Sequence, residues 1–459
     1  MNITIISDNI YDRKGSCAVV MANALTKRGC RVNVILPFYQ QRYNYTALDL
    51  EIGGAFVIKT PKGSFNINLF HTKKESVDYY FVSSSRLFGN DADSSCYDDG
   101  TKTAVFCTAA LDVVMNKLTD CEYIITNSAN TALVPTYIKF KHPYSSVLRN
   151  IRCYHYINDD VYGIYDSSKV TTVFGLSPDE RHIMISKDRI NLTKAAVISA
   201  SRVFVGENAL NILYDHRDEL HHTAIQFGFK IRKLRLGIDY DDFSPERDTD
   251  IHKKYSSEDI HKKLLNKRFI QKYLYLEENT DLPLIAIYPD RNMDIWHRYA
   301  DELNRCDIQT IVISDRLRRS DQTYMPKKCI CIQDKSPETL KNIFSGADFC
   351  IFGGLNSVCG NPSFISAAYG CVPILPCHRF FDPGFVYFNK LTLDGNGYTY
   401  NPSVRTDMMY TLWDALGIYR HDKKTFNRLQ QNTMKKIFSA SDSMEAVEKE
   451  AEKTLYSFI

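Results

Sequence analysis

The side chains that most often bind metals or act as nucleophiles are numerous in this chain but do not form a recognisable motif. There are 13 cysteines and 12 histidines among 459 residues, and no two cysteines have the C-x-x-C spacing of zinc or thiol-redox motifs. The densest group, His216, His221 and His222 in YDHRDELHH, lacks a further ligand and is typical of a solvated helix end. The pattern predicts no metal, and it predicts reduced cysteines in the core of a cytoplasmic protein.

A second group of candidate residues lies in the loop that follows the first predicted strand. Residues 3–6 predict a short buried strand, and the loop DNIYDRKGS after it carries Arg13 and Lys14. Apolar residues then recur at helical spacing over 17–25, and residues 32–36 predict the next strand. A strand–helix–strand unit of this kind forms a parallel sheet that binds its ligands at the carboxyl ends of the strands. The loop therefore lies where a substrate is expected.

Short apolar segments of this kind recur along the whole chain and are separated by helical patterns. At 459 residues the chain is longer than one hydrophobic core usually supports, so two domains are expected. Further strands are predicted at residues 122–126, 151–156, 201–205, 282–288, 309–314, 329–333, 349–352 and 372–375. This order predicts an α/β protein with two doubly wound, Rossmann-like domains, at 1–242 and 243–459, whose last helix can pack back on the N-terminal domain.

Composition and charge exclude several classes of function. The net charge is only +3 and no long run of Lys or Arg is present, so no nucleic-acid partner is predicted. No apolar run approaches the ~18 residues of a membrane span, and the N-terminus MNITIISDN is unlike a signal peptide. No membrane association is therefore predicted. A nicotinamide-dependent dehydrogenase would also have Rossmann-like domains, but G-x-G-x-x-G is missing after the first strand.

The segment from Leu236 to Gln271 has the form of a hinge between the two domains. It begins with a Gly-Ile-Asp turn and an aromatic residue, continues through Ser244-Pro245, and ends in a predicted helix that contains an Asn-Lys pair and a Gln. This order resembles the interdomain segment of bacterial glycogen synthases and plant starch synthases. Further segments resemble the same family in the same order along the chain: 24–29, 34–39, 191–209, 344–352, 358–375, 395–400 and 434–443.

The resemblance to the glycogen/starch synthase family implies a GT-B fold, in which two Rossmann-like domains face a central cleft. It also implies a retaining glycosyltransferase that transfers glucose from a nucleotide sugar, usually ADP-glucose, to the end of an α-1,4-glucan. Such a reaction needs cations and helix N-termini around the departing diphosphate, and an acidic residue that holds the glucose. The implied partners are a nucleotide sugar and an α-glucan, and neither a cofactor nor a metal is implied.

The motif that supplies this acidic residue is altered in the present chain. The family motif Glu-Pro-Cys-Gly-Leu corresponds to residues 357–361, where Cys359 and Gly360 keep their places but Ser357 replaces the glutamate. A serine hydroxyl has neither the charge nor the bidentate hydrogen bonding of a carboxylate. We therefore assign no catalytic residue, and the resemblance makes Cys359 and Gly360 candidates for binding the donor.

The basic residues of the family's donor site are only partly retained. Arg291 matches the arginine of the second domain after a one-residue shift, whereas the position of the accompanying lysine falls on residues 295–296, Ile-Trp. In the N-terminal domain, the family's Lys-x-Gly-Gly loop matches residues 10–13, which lack the lysine and both glycines. Lys14 lies next to this segment and is a further donor-binding candidate, although a surface loop with a basic pair is the simpler interpretation.

Two more family elements fall on the predicted strands of the N-terminal domain. The His-Asp-Trp-His element matches residues 127–130, Asn-Ser-Ala-Asn, and has lost both its charge and its aromatic ring. The histidine of the Thr-Ile-His-Asn element survives as His155, at the end of a predicted strand, and is either a donor contact or a structural histidine. Together these changes predict a family member that is weakened or inactive in the standard reaction. The alternatives are an active glycosyltransferase with an altered donor or acceptor, and a non-catalytic protein that binds glucan or a protein partner.

Overall fold

The structure is a computed structural model, and it describes residues 1–8, 16–39, 48–88, 100–158, 163–206, 209–210, 213, 215, 220–289, 294–314, 328–354, 362–377 and 384–456. The chain divides into two compact units. The first comprises Met1–Leu236 together with Ala440–Ile459, and the second comprises Gly237–Ser439. The chain thus passes from one unit to the other after residue 236, whereas the sequence placed the boundary after residue 242.

A nine-stranded sheet forms the centre of the first unit. In chain order its strands are β1 Asn2–Ile6, β2 Arg31–Pro37, β3 Glu51–Thr60, β4 Gly63–Lys74, β5 Val77–Ser83, β6 Tyr123–Asn127, β7 Arg152–Ile157, β11 Arg202–Val205 and β12 Ile231–Lys233. A separate antiparallel sheet contains β8 Ile164–Asp166, β9 Ile185–Ser186 and β10 Arg189–Asn191. The spatial order of the large sheet is β12-β11-β7-β6-β1-β2-β5-β4-β3.

The large sheet combines a parallel part with an antiparallel edge. The strands from β12 to β5 pair in parallel, as the strand–helix–strand pattern predicts. Strands β3 and β4 add an antiparallel hairpin that the sequence reading did not identify. In β4 buried and exposed residues alternate over Phe65–Leu69, which is typical of a sheet with one solvated face.

The helices of the first unit cover the faces of this sheet. They are α1 Cys17–Lys27, α2 Ser85–Phe88, α3 Thr101–Lys117, α4 Leu133–Phe140, α5 Lys169–Thr172, α6 Arg181–Met184, α7 Leu192–Ser199, α8 His221–Gln226 and α15 Ala440–Tyr456. Helix α15, the last of the chain, packs against α1. It is also joined to this unit by ion pairs from Arg28 to Glu448, at 2.5 Å, and from Arg202 to Glu450, at 3.3 Å.

A six-stranded parallel sheet forms the centre of the second unit. Its strands are β13 Leu284–Tyr288, β14 Gln309–Ile313, β15 Cys329–Ile332, β16 Phe349–Phe352, β17 Val372–Pro376 and β18 Tyr398–Tyr400, in the spatial order β15-β14-β13-β16-β17-β18. The surrounding helices are α9 Lys263–Tyr273, α10 Asp294–Arg305, α11 Pro337–Gly346, α12 Pro362–Ala368, α13 Asp407–His421 and α14 Lys423–Lys435. Both units therefore have the doubly wound α/β architecture that the sequence predicts.

The Gly-Ile-Asp turn at the start of the second unit requires its glycine because of a close backbone approach. Ile238 N donates to Phe438 O at 2.8 Å, and this bond draws the two chain segments together. A Cβ atom on Gly237 would lie 2.1 Å from the same carbonyl oxygen. Only a residue without a side chain fits there.

Helix α9 of the hinge segment has the opposite polarity to an ordinary surface helix. Its polar residues Asn266, Lys267 and Gln271 are at most 1% exposed, whereas Phe269 and Tyr273 are 38% and 69% exposed. The donor groups of these side chains all find acceptors within the protein, whereas Gln271 Oε1 is buried without a hydrogen-bond partner among the described residues. Lys267 Nζ donates to Asp348 Oδ2 at 2.7 Å and to Thr280 O at 2.9 Å, and Gln271 Nε2 donates to Asn279 O at 2.7 Å.

The expectation of reduced cysteines is met at ten positions of the described chain, where the thiols are free. Cys17, at the start of α1, differs because it is disulfide-bonded.

Candidate functional site

The carboxyl ends of the parallel strands in the first unit carry a hydrogen-bonded polar group. Asp8 follows β1, and residues 128–130 follow the adjacent strand β6. Ser128 Oγ donates to Asp8 Oδ1 at 2.8 Å, and Asn130 Nδ2 donates to Asp8 Oδ2 at 2.6 Å. Both oxygens of the Asp8 carboxylate therefore accept from the segment that the sequence comparison aligned with the His-Asp-Trp-His element.

The backbone of Ser128 has a conformation that is normally restricted to glycine. Its φ is 76° and its ψ is 160°, which for a residue with a side chain costs about 1–3 kcal/mol. The surrounding hydrogen bonds hold the segment in this geometry: Ser128 donates to Asp8, and Thr131 Oγ1 donates to Asn127 O at 2.5 Å. Strain of this kind is concentrated at functional sites in proteins, so this edge of the sheet is our candidate site.

A cavity of about 180 Å³ opens beside Asp8. Its lining combines polar residues with aromatic ones: Asp8, Lys102, Thr103 and Asn130, and Tyr39, Phe88, Phe106 and Tyr165. Lys102 and Thr103 belong to the first turn of α3, and Thr103 Oγ1 donates to Asn130 Oδ1 at 3.4 Å.

This cavity has the chemistry of a site for a polar ring. Aromatic faces pack against the apolar faces of such a ring, while a few fixed polar groups bind its substituents. A carboxylate and side-chain amide and hydroxyl groups together provide both acceptors and donors for hydroxyl groups. The sequence analysis did not single out Asp8 or Tyr165. The position of Asp8 directly after a predicted strand was the available signal.

His155 is the one predicted donor-binding residue that lies in the described part of the chain. It is the fourth residue of the six-residue strand β7, paired between Thr126 and Val203, and not at the strand end where the sequence placed it. Its ring is 1% exposed, and Nδ1 lies 2.8 Å from Thr126 Oγ1. Burial lowers the pKa of His155 to about 3, so the ring is neutral at physiological pH. This geometry fits the structural alternative, and a donor contact remains a prediction.

The other predicted site residues, Lys14, Arg291, Cys359 and Gly360, lie outside the described residues, as does Ser357. The strands that precede Arg291 and Ser357 are adjacent in the sheet of the second unit. Tyr288 ends β13 and Phe352 ends β16, and the two residues pair directly in the parallel sheet. The segment that begins after Tyr288 and the segment that begins shortly after Phe352 therefore leave the same edge of adjacent strands, where doubly wound folds bind ligands.

A basic residue that the sequence analysis missed lies at this edge of the second unit. Lys335 follows β15, and its Nζ lies 5.4 Å from the centroid of the Tyr288 ring. Lys335 has no counterpart in the family motifs that the sequence resembles, so neither residue spacing nor this resemblance could have identified it.

The described ranges contain neither a metal-binding cluster nor a membrane-spanning helix. No group of three or more His, Cys, Asp or Glu residues in these ranges is arranged to hold a metal ion. No helix in them combines the length and the apolar character that crossing a membrane requires.

Comparisons with known proteins agree across both units. Residues 15–210 match the family model of the starch synthase catalytic domain. The glycogen synthase of Finegoldia magna is 25% identical over 429 residues, which cover 89% of each chain. The glycogen synthase of Clostridium botulinum (strain Alaska E43) is 23% identical over 457 residues, which cover 94% of this chain and 93% of the other.

Solved structures show the same fold. The catalytic domain of starch synthase IV from Arabidopsis thaliana, bound to ADP and acarbose, superposes with a TM-score of 0.85 at 20% identity and covers 98% of both chains. A sucrose-phosphate synthase from Thermosynechococcus elongatus superposes with a TM-score of 0.61 at 13% identity and covers 99% of this chain and 100% of the other.

Proposed function

Because the chain is a member of the glycogen/starch synthase family of GT-B glycosyltransferases, we propose that it binds the end of an α-1,4-glucan in its N-terminal unit but transfers glucose from ADP-glucose slowly or not at all. The proposal has two halves: the first concerns binding of the glucan acceptor, and the second concerns glucose transfer from the nucleotide-sugar donor. The acceptor half depends on the cavity beside Asp8, and the donor half depends on the altered motifs.

The donor half of the proposal follows from the charge that develops during glucose transfer. The departing diphosphate gains negative charge as the glycosidic bond breaks, and nearby cations and backbone N–H groups lower the barrier by stabilising it. Arg291 remains in this chain, but the family's lysine position is occupied by Ile295 or Trp296, and Ser357 stands in place of the glutamate. Loss of one preorganised group of this kind typically reduces a rate by about 100- to 1,000-fold.

The observation that carries the proposal is the pair of hydrogen bonds to Asp8. The family element that holds histidine and aspartate is replaced here by Ser128 and Asn130, whose neutral side chains donate to Asp8 at 2.8 and 2.6 Å. This segment therefore supports the wall of the neighbouring cavity and supplies no charge to a donor. The buried, neutral ring of His155 adds no positive charge either.

The acceptor half of the proposal is supported by the lining of the cavity. Tyr165 and Tyr39 offer ring faces to a glucose unit, and Asp8, Asn130 and Lys102 offer groups that bind its hydroxyls. A nucleotide sugar would be a substrate in this scheme, and the reaction would need neither a metal nor another cofactor.

Two measurements on the full chain test this proposal. Calorimetric titration with maltoheptaose should show saturable binding. Transfer of labelled glucose from ADP-glucose or UDP-glucose to glycogen should be at least ~100-fold slower than transfer by a bacterial glycogen synthase assayed in parallel. Equal turnover would refute the donor half, and an absence of maltoheptaose binding would refute the acceptor half.

Lys335 favours a second candidate function, an active retaining glycosyltransferase with an altered donor or acceptor. Its ammonium group lies beside Tyr288 at the carboxyl end of β13. It offers a positive charge to replace the family's lysine, whose position is occupied here by Ile295 or Trp296. In that case a nucleotide sugar should bind saturably, and both Arg291→Ala and Lys335→Met should weaken its binding. Calorimetry that detects no binding of ADP- or UDP-sugars would exclude this candidate and leave a non-catalytic glucan- or partner-binding protein.

A further inference from the structure

A second cavity, of about 230 Å³, lies in the second unit at the opposite edge of its sheet from the expected donor site. Thr280 and Asp281 in its wall precede β13, and Asp348 precedes the adjacent parallel strand β16. The cavity is therefore at the amino ends of these strands, whereas doubly wound folds bind their substrates at the carboxyl ends. Helices α9, α13 and α14 complete the wall.

Two of the three lysines in this cavity are fully engaged with the protein. Lys267 Nζ donates to Asp348 Oδ2 at 2.7 Å and to Tyr419 Oη at 2.7 Å. Lys263 Nζ donates to Ser345 O at 3.0 Å and to Tyr369 O at 2.9 Å. These two ammonium groups have a structural role and contribute positive charge to the floor of the cavity.

The third lysine, Lys423, has no such partner. Its Nζ lies 3.2 Å from the centroid of the Tyr419 ring, and the part of the chain that the structure describes offers it no carboxylate within 4.0 Å and no hydrogen-bond acceptor. Burial lowers the pKa of this ammonium group, and the positive charge of Lys267 acts in the same direction, whereas the carboxylates of Asp348 and Asp281 raise it. Lys423 is exposed, so an anion from solvent can reach its ammonium group, which lies against a ring face and not against a described carboxylate.

The charges that line the cavity leave an excess of positive charge. Lys263, Lys267 and Lys423 face two carboxylates, and one of these, Asp348, is bound to Lys267. The other, Asp281, lies in an exposed position at the rim, where water screens its charge. His261, also exposed, lies at the rim as well.

The rest of the lining includes apolar side chains that suit a ring, together with the polar Asn427 and Gln430. Leu264 of α9 is 46% exposed and borders the cavity beside Phe426 of α14. A flat apolar group that packs between these side chains would remove surface from water and bring an attached anionic group to Lys423.

We propose that this cavity is a binding site for a small organic anion, whose charged group pairs with Lys423 and whose ring packs against Leu264 and Phe426. The site is separate from glucose transfer, and neither half of the proposed function depends on it.

Calorimetric titration of the full chain with phenyl phosphate tests the site, with phenol as the neutral comparison. Phenyl phosphate should bind saturably and phenol at least ~10-fold more weakly. Lys423→Met keeps the apolar stem and removes the charge, so it should reduce the affinity for phenyl phosphate at least ~10-fold. The matched control Lys424→Met removes a charge from the next residue, which does not line the cavity, and should leave the affinity unchanged.

A third variant separates this site from the expected donor site, which could also hold a phosphate. Arg291→Ala should retain full affinity for phenyl phosphate. Loss of binding in Arg291→Ala with unchanged binding in Lys423→Met would place the anion elsewhere and overturn the proposal. An absence of saturable binding to the wild-type chain would overturn it as well. Thermal unfolding of each variant confirms that it is folded.

Discussion

Ser128 donates a hydrogen bond of 2.8 Å to the carboxylate of Asp8, across two adjacent parallel strands and 120 residues of sequence. The serine adopts φ 76° and ψ 160° to do so, a conformation that residues with a side chain rarely adopt. The bond ties the segment after β6 to the end of β1 and shapes the wall of the neighbouring cavity. In the family this segment carries charged residues. Here it carries the neutral side chains of Ser128 and Asn130, which donate hydrogen bonds to Asp8.

The first prediction concerns the role of Asp8 in glucan binding. Asp8→Ala removes the acceptor of both Ser128 and Asn130 and leaves two donors without their partner. The affinity for maltoheptaose should fall at least ~10-fold, and the free energy of unfolding should fall by about 1–3 kcal/mol. Calorimetry and urea unfolding measure the two effects. Asp8→Asn keeps the shape of the side chain and one acceptor oxygen, so its losses of affinity and of unfolding free energy should be smaller. Wild-type affinity for maltoheptaose in Asp8→Ala would show that Asp8 does not belong to the glucan site.

The second prediction concerns the buried ring of His155. Its pKa is about 3 in the folded protein and about 6.5 in the unfolded chain. Between these values the unfolded chain binds one more proton, so the folded state loses stability as the pH falls below about 6.5. The loss attributable to His155 should reach about 1.4 kcal/mol at pH 5.5 relative to pH 7.5.

This pH effect can be isolated by substitution. His155→Asn should lack the contribution, so the difference in unfolding free energy between wild type and variant should shrink by about 1.4 kcal/mol from pH 7.5 to pH 5.5. The exposed His222 provides the control, since His222→Asn should leave the pH dependence of the wild type unchanged. A wild-type pH dependence in His155→Asn would show that the ring is not buried as described.

The third prediction compares two glycines of the second unit. Gly237→Ala would place a Cβ atom 2.1 Å from Phe438 O and should lower the free energy of unfolding by about 3 kcal/mol. Gly417 lies half-buried in α13, and a Cβ there would meet no atom within 4 Å. Gly417→Ala should therefore stabilise the protein by about 0.5–1 kcal/mol. Equal effects of the two substitutions in urea unfolding would contradict the close approach at Gly237.

The fourth prediction concerns the ion pair between Lys267 and Asp348, whose side chains are 1% and 5% exposed. Lys267→Met leaves a buried carboxylate without its cation, and we expect a loss of about 3–5 kcal/mol in the free energy of unfolding. Lys272→Met changes an exposed lysine of the same helix and should alter stability by less than about 0.5 kcal/mol. A small effect of Lys267→Met would mean that water reaches Asp348.

The sequence predicted the alternation of strands and helices well, because buried parallel strands appear as short apolar runs. It did not predict the polarity of α9. Hydrophobic periodicity assigns Phe269 to the buried face of such a helix and Lys267 to solvent, whereas the structure buries Lys267 and exposes Phe269. The reason is non-local: Lys267 meets Thr280 O and Asp348, which are distant in sequence.

The candidate site was predicted less completely than the fold. The sheet edge at which ligands bind follows from topology, so the importance of the segments after β1 and β6 could be anticipated. The pairing of Asp8 with Ser128 could not, because no sequence pattern links positions on separate strands. His155 was placed at a strand end, but β7 continues to Ile157, and the ring lies against Thr126 inside the sheet.

The most direct test of the account is the steady-state rate of glucose transfer from ADP-glucose to glycogen, measured for the wild-type chain and for Arg291→Ala. Enzymes typically turn over at about 10 s⁻¹. We predict a wild-type rate below ~0.1 s⁻¹, together with saturable binding of maltoheptaose. A wild-type rate of about 10 s⁻¹ that collapses in Arg291→Ala would contradict the account, because it would show that a donor site with Ser357 in place of the glutamate still carries out the family reaction.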